Sequence, residues 1–110
     1  MKRTKHKHSG TSRKGDLAEY YAVTWLWDNG YEVFPNAGST GPVDLIAYKD
    51  GNATLIDVKT ESHDPRKEGN YYCNHQARTE LQKELGVKIL GYNPVTRQLR
   101  FVEHKDEQSD

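Results

Sequence analysis

The sequence has 110 residues, a hydrophobic fraction of only 34% and no long hydrophobic run. A membrane-spanning helix needs roughly 18 or more consecutive apolar residues, so an integral membrane protein is not predicted. The basic residues at the start are not followed by the apolar stretch of a secretory signal. We therefore expect a cytoplasmic protein that does not associate with membranes.

The sequence is also nearly free of cysteine, since Cys73 is the single one. A single cysteine excludes an internal disulfide and a multi-cysteine zinc site. It also favours a reducing compartment, where thiols are not paired.

Apolar side chains are missing from both ends of the chain. Residues 2–14 and residues 104–110 contain no aliphatic or aromatic side chain. The part between them must build the hydrophobic core, and a core of that size leaves stability marginal. The sequence thus predicts a basic flexible arm over 1–14, one folded domain over 15–102 and an acidic disordered tail over 103–110.

The net charge of +0 conceals an uneven distribution of charge. The first 14 residues carry a charge of +6 without any acid, and the remainder carries −6. The basic arm is either a solvated tail or a segment that binds phosphate groups. His6 and His8 form a pair within it, but two histidines without a third ligand leave metal binding open.

The turn-forming residues divide the chain into alternating helices and strands. Asp16 is a candidate N-cap for a helix over 17–28 that ends at Asn29-Gly30, and Thr79 to Gln82 form a candidate capping box for a second helix that ends at Gly86. Strands are predicted over 31–34, 43–48, 53–60, 87–92 and 98–102, with a polar loop over 61–70. This order predicts an α/β fold with a mixed central sheet of about five strands flanked by helices.

The Asp50-Gly51 pair indicates a tight hairpin between the second and third strands. A two-residue turn there pairs Lys49 with Asn52, and continuing this register places Asp44 directly opposite Asp57. Directly opposed side chains have Cβ atoms about 4.5–5.5 Å apart. Lys59 follows Asp57 by two residues and shares its face of the sheet.

These two strands are apolar on both faces apart from the charged residues, which is typical of buried central strands. Charges there are costly unless they are paired or bound to a metal. Asp44, Asp57 and the backbone carbonyl of Val58 form a plausible Mg²⁺ site, in which we expect Mn²⁺ to substitute. A lysine beside such an ion can orient a water molecule, which points to phosphodiester hydrolysis. An ion cluster with a purely structural role is the alternative.

Glu19 is a third acidic residue with two interpretations. Asp16 and Glu19 have the spacing of a capping box, in which Glu19 would bond back to the N-cap amide. Glu19 also shares a helical stripe with Val23 and Leu26, on the side expected to face the sheet. An acid on that side favours a role in the site.

These motifs resemble the PD-(D/E)XK nuclease superfamily, which has a restriction-endonuclease-like core. The resemblance rests on residues 41–47 (G-P-V-D-L-I-A), on residues 55–60 (L-I-D-V-K-T) and on the hairpin between them. Residues 15–19 (G-D-L-A-E) and 30–33 (G-Y-E-V) look like the archaeal Holliday-junction-resolvase branch, and small phage-type nucleases look more similar still. Two departures are the proline two positions before Asp44 and the aspartate at position 57, where glutamate is common.

The resemblance implies a metal-dependent endodeoxyribonuclease. Asp44 and Asp57 would bind Mg²⁺, Glu19 would bind it directly or through water, and Lys59 would position the attacking water. It further implies DNA as partner, with branched DNA and a homodimer if the chain acts in recombination as a resolvase, and host cytoplasm if it is phage-encoded. The alternatives are a nicking or general nuclease and a non-catalytic DNA-binding module with this fold.

Several further residues are candidates for contact with DNA, although most arginines and lysines are simply surface charge. The candidates are Arg13, Lys14, Ser39, Thr40, Thr60 and Arg78. Trp25 and Trp27 lie two positions apart on the first helix and cannot both face inward. Trp27 is the one expected to be exposed, at a partner surface or stacked on a nucleobase.

Overall fold

A computed structural model describes residues 4–38, 40–63, 71–72 and 78–103 of the chain. Within these ranges, two helices and a five-stranded sheet form the main body, and a two-stranded sheet accompanies them. None of the helices in these ranges combines the length and the apolar character needed to cross a bilayer.

The first helix, α1, runs from Thr4 to Asp28 and is longer than the sequence predicted. Asp16 lies well inside this helix, so the prediction that it is the N-cap is wrong. The Asp16–Glu19 capping-box interpretation fails with it. Residues 4–14, which we expected to form an arm apart from the helix, belong to it, while the division into arm, domain and tail stays a prediction. The predicted end is confirmed: the Gly30 N–H bonds to the Trp27 carbonyl at 3.0 Å, and Gly30 has a φ of +89°.

The main sheet contains β1 (Glu32–Pro35), β2 (Leu45–Lys49), β3 (Asn52–Thr60), β6 (Lys88–Tyr92) and β7 (Leu99–Phe101). Its order is β1-β2-β3-β6-β7, with β3 at the centre. The pairing of β3 with β6 is parallel and the other three are antiparallel. The predicted mixed five-stranded sheet is therefore confirmed.

One face of the sheet is covered by α1. Ala18, Ala22 and Leu26 recur at the four-residue spacing that places side chains on one face of a helix, and all three are buried. The main core cluster joins Ala22 and Leu26 to four side chains of the sheet, which are Leu45, Ala47, Ile56 and Leu90. This packing fixes α1 against the centre of the sheet.

The opposite face of the β2–β3 hairpin is less buried than we expected. Ile46 is 37% exposed and Tyr48 is 45% exposed, although both alternate with the buried residues of β2. The expectation of two buried faces is therefore wrong for β2. The helix α1 covers only the face that carries Leu45 and Ala47. Asp57 alternates with Ile56 along β3 and lies on this second face.

The connection from β3 to β6 carries the second helix, α2, over Glu80–Leu85. Its predicted capping box is confirmed: Gln82 N–H bonds to Thr79 Oγ1 at 3.1 Å, and Thr79 N–H bonds to Gln82 Oε1 at 2.9 Å. Gly86 ends α2 with a φ of +76°, also as predicted. Part of the predicted loop is paired instead, since β4 (Ser62–His63) is antiparallel to β5 (Tyr71–Tyr72).

Candidate active site

The chain bends at Asp44, directly before β2. The predicted hairpin register is confirmed from Lys49↔Asn52 to Leu45↔Ile56. The Asp44 N–H, however, also bonds to the Ile56 carbonyl, at 2.8 Å. Two consecutive residues thus oppose Ile56, which is the arrangement of a β-bulge. The prediction that Asp44 lies directly opposite Asp57 is therefore wrong by this one residue.

The bulge directs the Asp44 side chain toward β3. Its Oδ2 accepts a hydrogen bond from the Val58 N–H at 2.8 Å. In an antiparallel ladder the N–H and C=O of one residue point to the same side of a strand. The Val58 carbonyl therefore also points toward the end of β2, beside the Asp44 carboxylate. This supports the predicted placement of that carbonyl in the site.

Asp57 is held at the centre of the sheet with 7% of its surface exposed. Its Oδ2 lies 3.5 Å from the Nζ of Lys59, whose side chain is 37% exposed. Asp57 is thus fixed within the protein, while the Lys59 ammonium remains accessible from solvent. The predicted sharing of one face by Asp57 and Lys59 is confirmed by this contact.

Burial is the main cause that raises the pKa of Asp44 to about 7 from its usual 3.8. The interaction of its side chain with the Asp57 carboxyl group also raises this pKa, and the charges of Asp57 and Glu19 act in the same direction. The Val58 N–H opposes the shift because it stabilises the carboxylate. A bound cation would favour the ionised form of Asp44, because it would offset the repulsion between that charge and the neighbouring acids.

Glu19 approaches the carboxyl pair from α1. It is half-buried, and burial raises its pKa, with smaller contributions from the charges of Asp16 and Asp57. Glu19 therefore interacts electrostatically with both aspartates. It does not complete a cluster with them: among the described residues no group of three or more acidic, histidine or cysteine side chains is close enough to hold a metal ion.

Gln82 is a site residue that the sequence did not reveal. Its Nε2 donates to Asp57 Oδ2 at 3.0 Å and to the Pro42 carbonyl at 2.8 Å, and the residue is only 5% exposed. The sequence indicated Gln82 only as the N3 residue of a capping box. Its second role depends on the tertiary packing of α2 against the sheet, which no local pattern encodes.

The predicted DNA contacts are scattered. Arg13, Lys14 and Thr40 are exposed, Thr60 is half-buried in β3, and Ser39 lies outside the described residues. Arg78 is 6% exposed and donates from Nη1 to the Val87 carbonyl at 3.1 Å. That placement favours a structural role for Arg78 over the predicted contact.

A groove of about 590 Å³ lies between α1 and the β1 edge of the sheet. Glu19 lines it together with Tyr20 and Trp27, which are 74% and 62% exposed. The predicted exposure of Trp27 is therefore confirmed, whereas Trp25 packs edge-on against Phe101 in the core. The role predicted for Trp27 stays a prediction.

The donor set suits a hard divalent cation. Asp44, Asp57 and the Val58 carbonyl could supply oxygen ligands, and oxygen-only coordination completed by water is what Mg²⁺ prefers. The two interacting acids are the observation that fits, because a cation would stabilise the charge of Asp44. Glu19 would then act directly or through a water molecule.

Comparison with known proteins identifies the family and the fold. Residues 9–103 match the family described as PD-(D/E)XK endonuclease. A solved structure titled as a bacterial homing endonuclease, I-Ssp6803I, is similar at a TM-score of 0.69 and 22% identity, over 92% of this chain and 70% of that one. No curated protein matches the chain. At this identity the solved structure shows the fold alone, and the resolvase-like branch stays a prediction. The chain belongs to the PD-(D/E)XK endonuclease family.

Proposed function

We propose that this protein is a DNA endonuclease that hydrolyses phosphodiester bonds with Mg²⁺, for which Mn²⁺ can substitute. The observation that carries the proposal is the placement of two interacting acids, Asp44 and Asp57, beside the Lys59 ammonium, which lies 3.5 Å from Asp57. A partly buried acid with a raised pKa, as Asp44 is, beside an accessible cation is common at catalytic sites. Family membership supports the same reaction class.

Each side chain has a distinct role in this proposal. Asp44 and Asp57, together with the Val58 carbonyl, would hold the cation, and Glu19 would bind it directly or through water. The bound cation supplies electrostatic stabilisation of charge on the phosphate. Lys59 orients the attacking water and neutralises part of the negative charge that develops on the phosphate. Removing a group of this kind costs roughly 10²–10³-fold in rate.

The substrate and assembly follow from the resemblance rather than from the site. Branched DNA and a homodimer would suit a resolvase, because two opposed strands require two active sites. A general or nicking nuclease needs neither. Cleavage of linear duplex is therefore tested beside cleavage of branched DNA.

The experiment is cleavage of a labelled four-way junction, a linear duplex and a single strand, each with Mg²⁺, Mn²⁺ or EDTA. We expect cutting that EDTA abolishes and that Lys59→Ala reduces about 100-fold or more. Lys83→Ala is the matched control, since Lys83 Nζ also lies 3.5 Å from a carboxylate, that of Glu80, but on the exposed surface of α2. It should cut at the wild-type rate.

The pattern of products separates the alternatives. Paired symmetrical nicks in the junction alone indicate a dimeric resolvase, and cutting of every substrate indicates a general nuclease. Binding without cutting under any condition would overturn the proposal in favour of a non-catalytic module. An equal decrease in rate for Lys59→Ala and Lys83→Ala would refute the role of Lys59.

A further inference from the structure

We infer that Gln82 is a positioning residue, which sets the orientation of the Asp57 carboxylate for cation binding. The inference rests on the proposed function and extends it to a side chain outside the sequence motif. The side-chain amide of Gln82 is buried and forms hydrogen bonds to three separate parts of the chain.

Two partners of the Gln82 amide determine which of its atoms is the oxygen and which the nitrogen, because one partner is only a donor and the other only an acceptor. The Thr79 backbone N–H can only donate, so the oxygen facing it at 2.9 Å is Oε1. The Pro42 carbonyl can only accept, so the atom facing it at 2.8 Å is Nε2. Exchange of the two amide atoms would break both bonds. The group 3.0 Å from Asp57 Oδ2 is consequently an N–H donor.

This donor restricts the rotation of the Asp57 carboxylate. Its Oδ2 is held 3.0 Å from Gln82 Nε2, and the Lys59 Nζ lies 3.5 Å from the same oxygen. The second Nε2 hydrogen holds Pro42, two residues before Asp44. Gln82 therefore links Asp57 to the segment that precedes the bulge. One rigid amide thus helps to fix the positions of both acids relative to each other.

The capping box provides a way to separate this role from helix stability. Thr79→Ala removes the Oγ1 that accepts the Gln82 backbone N–H, but leaves the Thr79 N–H that bonds to Oε1. Gln82→Glu keeps the capping box, because glutamate is equally suited to its N3 position. It removes the donor to Asp57, because it presents an oxygen where Nε2 donates. Gln82→Met is a second variant, uncharged and of similar length.

The test measures Mn²⁺ binding to the full chain without DNA, by the decrease of the free-ion electron paramagnetic resonance signal. Thermal unfolding and the Mg²⁺ concentration for half-maximal cleavage are recorded beside it. We expect Gln82→Glu and Gln82→Met to weaken binding about 10-fold or more and to raise the half-maximal Mg²⁺ concentration similarly. Thr79→Ala should lower the melting temperature but keep the affinity within about twofold.

Wild-type affinity in both Gln82 variants would overturn the inference while the proposed function stands. Equal weakening in Thr79→Ala would also overturn it, because the effect would then follow helix stability. Failure of the wild-type protein to bind Mn²⁺ or to cut DNA would overturn the proposed function and this inference with it.

Discussion

Asp44 accepts the backbone N–H of Val58 through its side chain, at 2.8 Å, beyond the last backbone pair between β2 and β3. The Asp44 carboxylate thus takes the place of a backbone carbonyl as the acceptor for this N–H of β3. The same carboxyl group interacts with Asp57. The side chain that binds to β3 is therefore also one of the two acids of the proposed metal site.

The raised pKa of Asp44 predicts that the metal-free protein loses stability as the pH rises. The folded protein binds this proton up to about pH 7, whereas the unfolded chain releases it near the usual value of 3.8. Between these values the folded state holds more protons, so the free energy of unfolding falls with increasing pH. Urea unfolding in EDTA at pH 5 and pH 8 measures the difference.

Asp44→Asn should remove most of that decrease, because an amide can still accept from Val58 and can donate to Asp57. At pH 8 we expect the variant to be more stable than wild type by about 0.5–2 kcal/mol, as is common when a functional charge is removed. Its advantage should shrink at pH 5. An advantage that does not depend on pH would contradict this explanation.

Glu19 is predicted to contribute to catalysis although it does not join the aspartates in a metal cluster. Glu19→Gln should slow cleavage about 10- to 100-fold, the usual effect of a group that supports metal ligands. Asp28→Asn is the control on the same helix, since Asp28 is exposed at the C-terminal end of α1. Similar rates for wild type and Glu19→Gln would exclude Glu19 from the site.

Two glycine substitutions should act in opposite directions. Gly15 lies inside α1, where a Cβ would meet nothing within 4 Å, so Gly15→Ala should stabilise the fold by about 0.5–1 kcal/mol. Gly86 has a φ of +76°, so Gly86→Ala should cost about 1 kcal/mol. Chemical denaturation measures both. No gain from Gly15→Ala would favour the later helix start that the sequence predicted.

The exposed pair Arg13 and Lys14 is predicted to bind DNA phosphates. Replacing both with glutamine should weaken duplex binding and reduce the slope of log Kd against log salt concentration by about 1 for each phosphate that is no longer neutralised. Fluorescence anisotropy in Ca²⁺ or EDTA measures binding without cleavage. Lys83→Gln, on α2, is the control and should leave the slope unchanged. An unchanged slope in the double variant would contradict the prediction, because Arg13 and Lys14 would then be solvated surface charges that do not bind phosphate.

Much of the fold was predictable because its signals are local. The Asp50-Gly51 turn specified the hairpin register, and Thr79 with Gln82 specified the start of α2. The start of α1 was missed for two reasons. Asp16 is a residue type that often forms an N-cap, and residues 4–14 have no apolar stripe to indicate that the helix extends through them.

The site was predictable in its residue types but not in its geometry. Alternation along the hairpin identified Asp44, Asp57 and Lys59, since spacing alone places them near one another. The bulge depends on a single added residue against Ile56, and the Gln82 contact joins residues 25 positions apart. Such features arise from tertiary packing, which a periodic pattern does not contain.

The parallel pairing of β3 with β6 has a consequence for the order of folding. The β2–β3 hairpin requires closure of a two-residue turn, whereas β6 can join β3 only after the chain between Thr60 and Lys88 has crossed over. Long closures of this kind form slowly. The two acids are thus expected to meet early, while the amide on α2 arrives with the crossover. A chain in which β6 has not yet joined β3 would therefore have its two acids together but would lack the amide that bonds to Asp57.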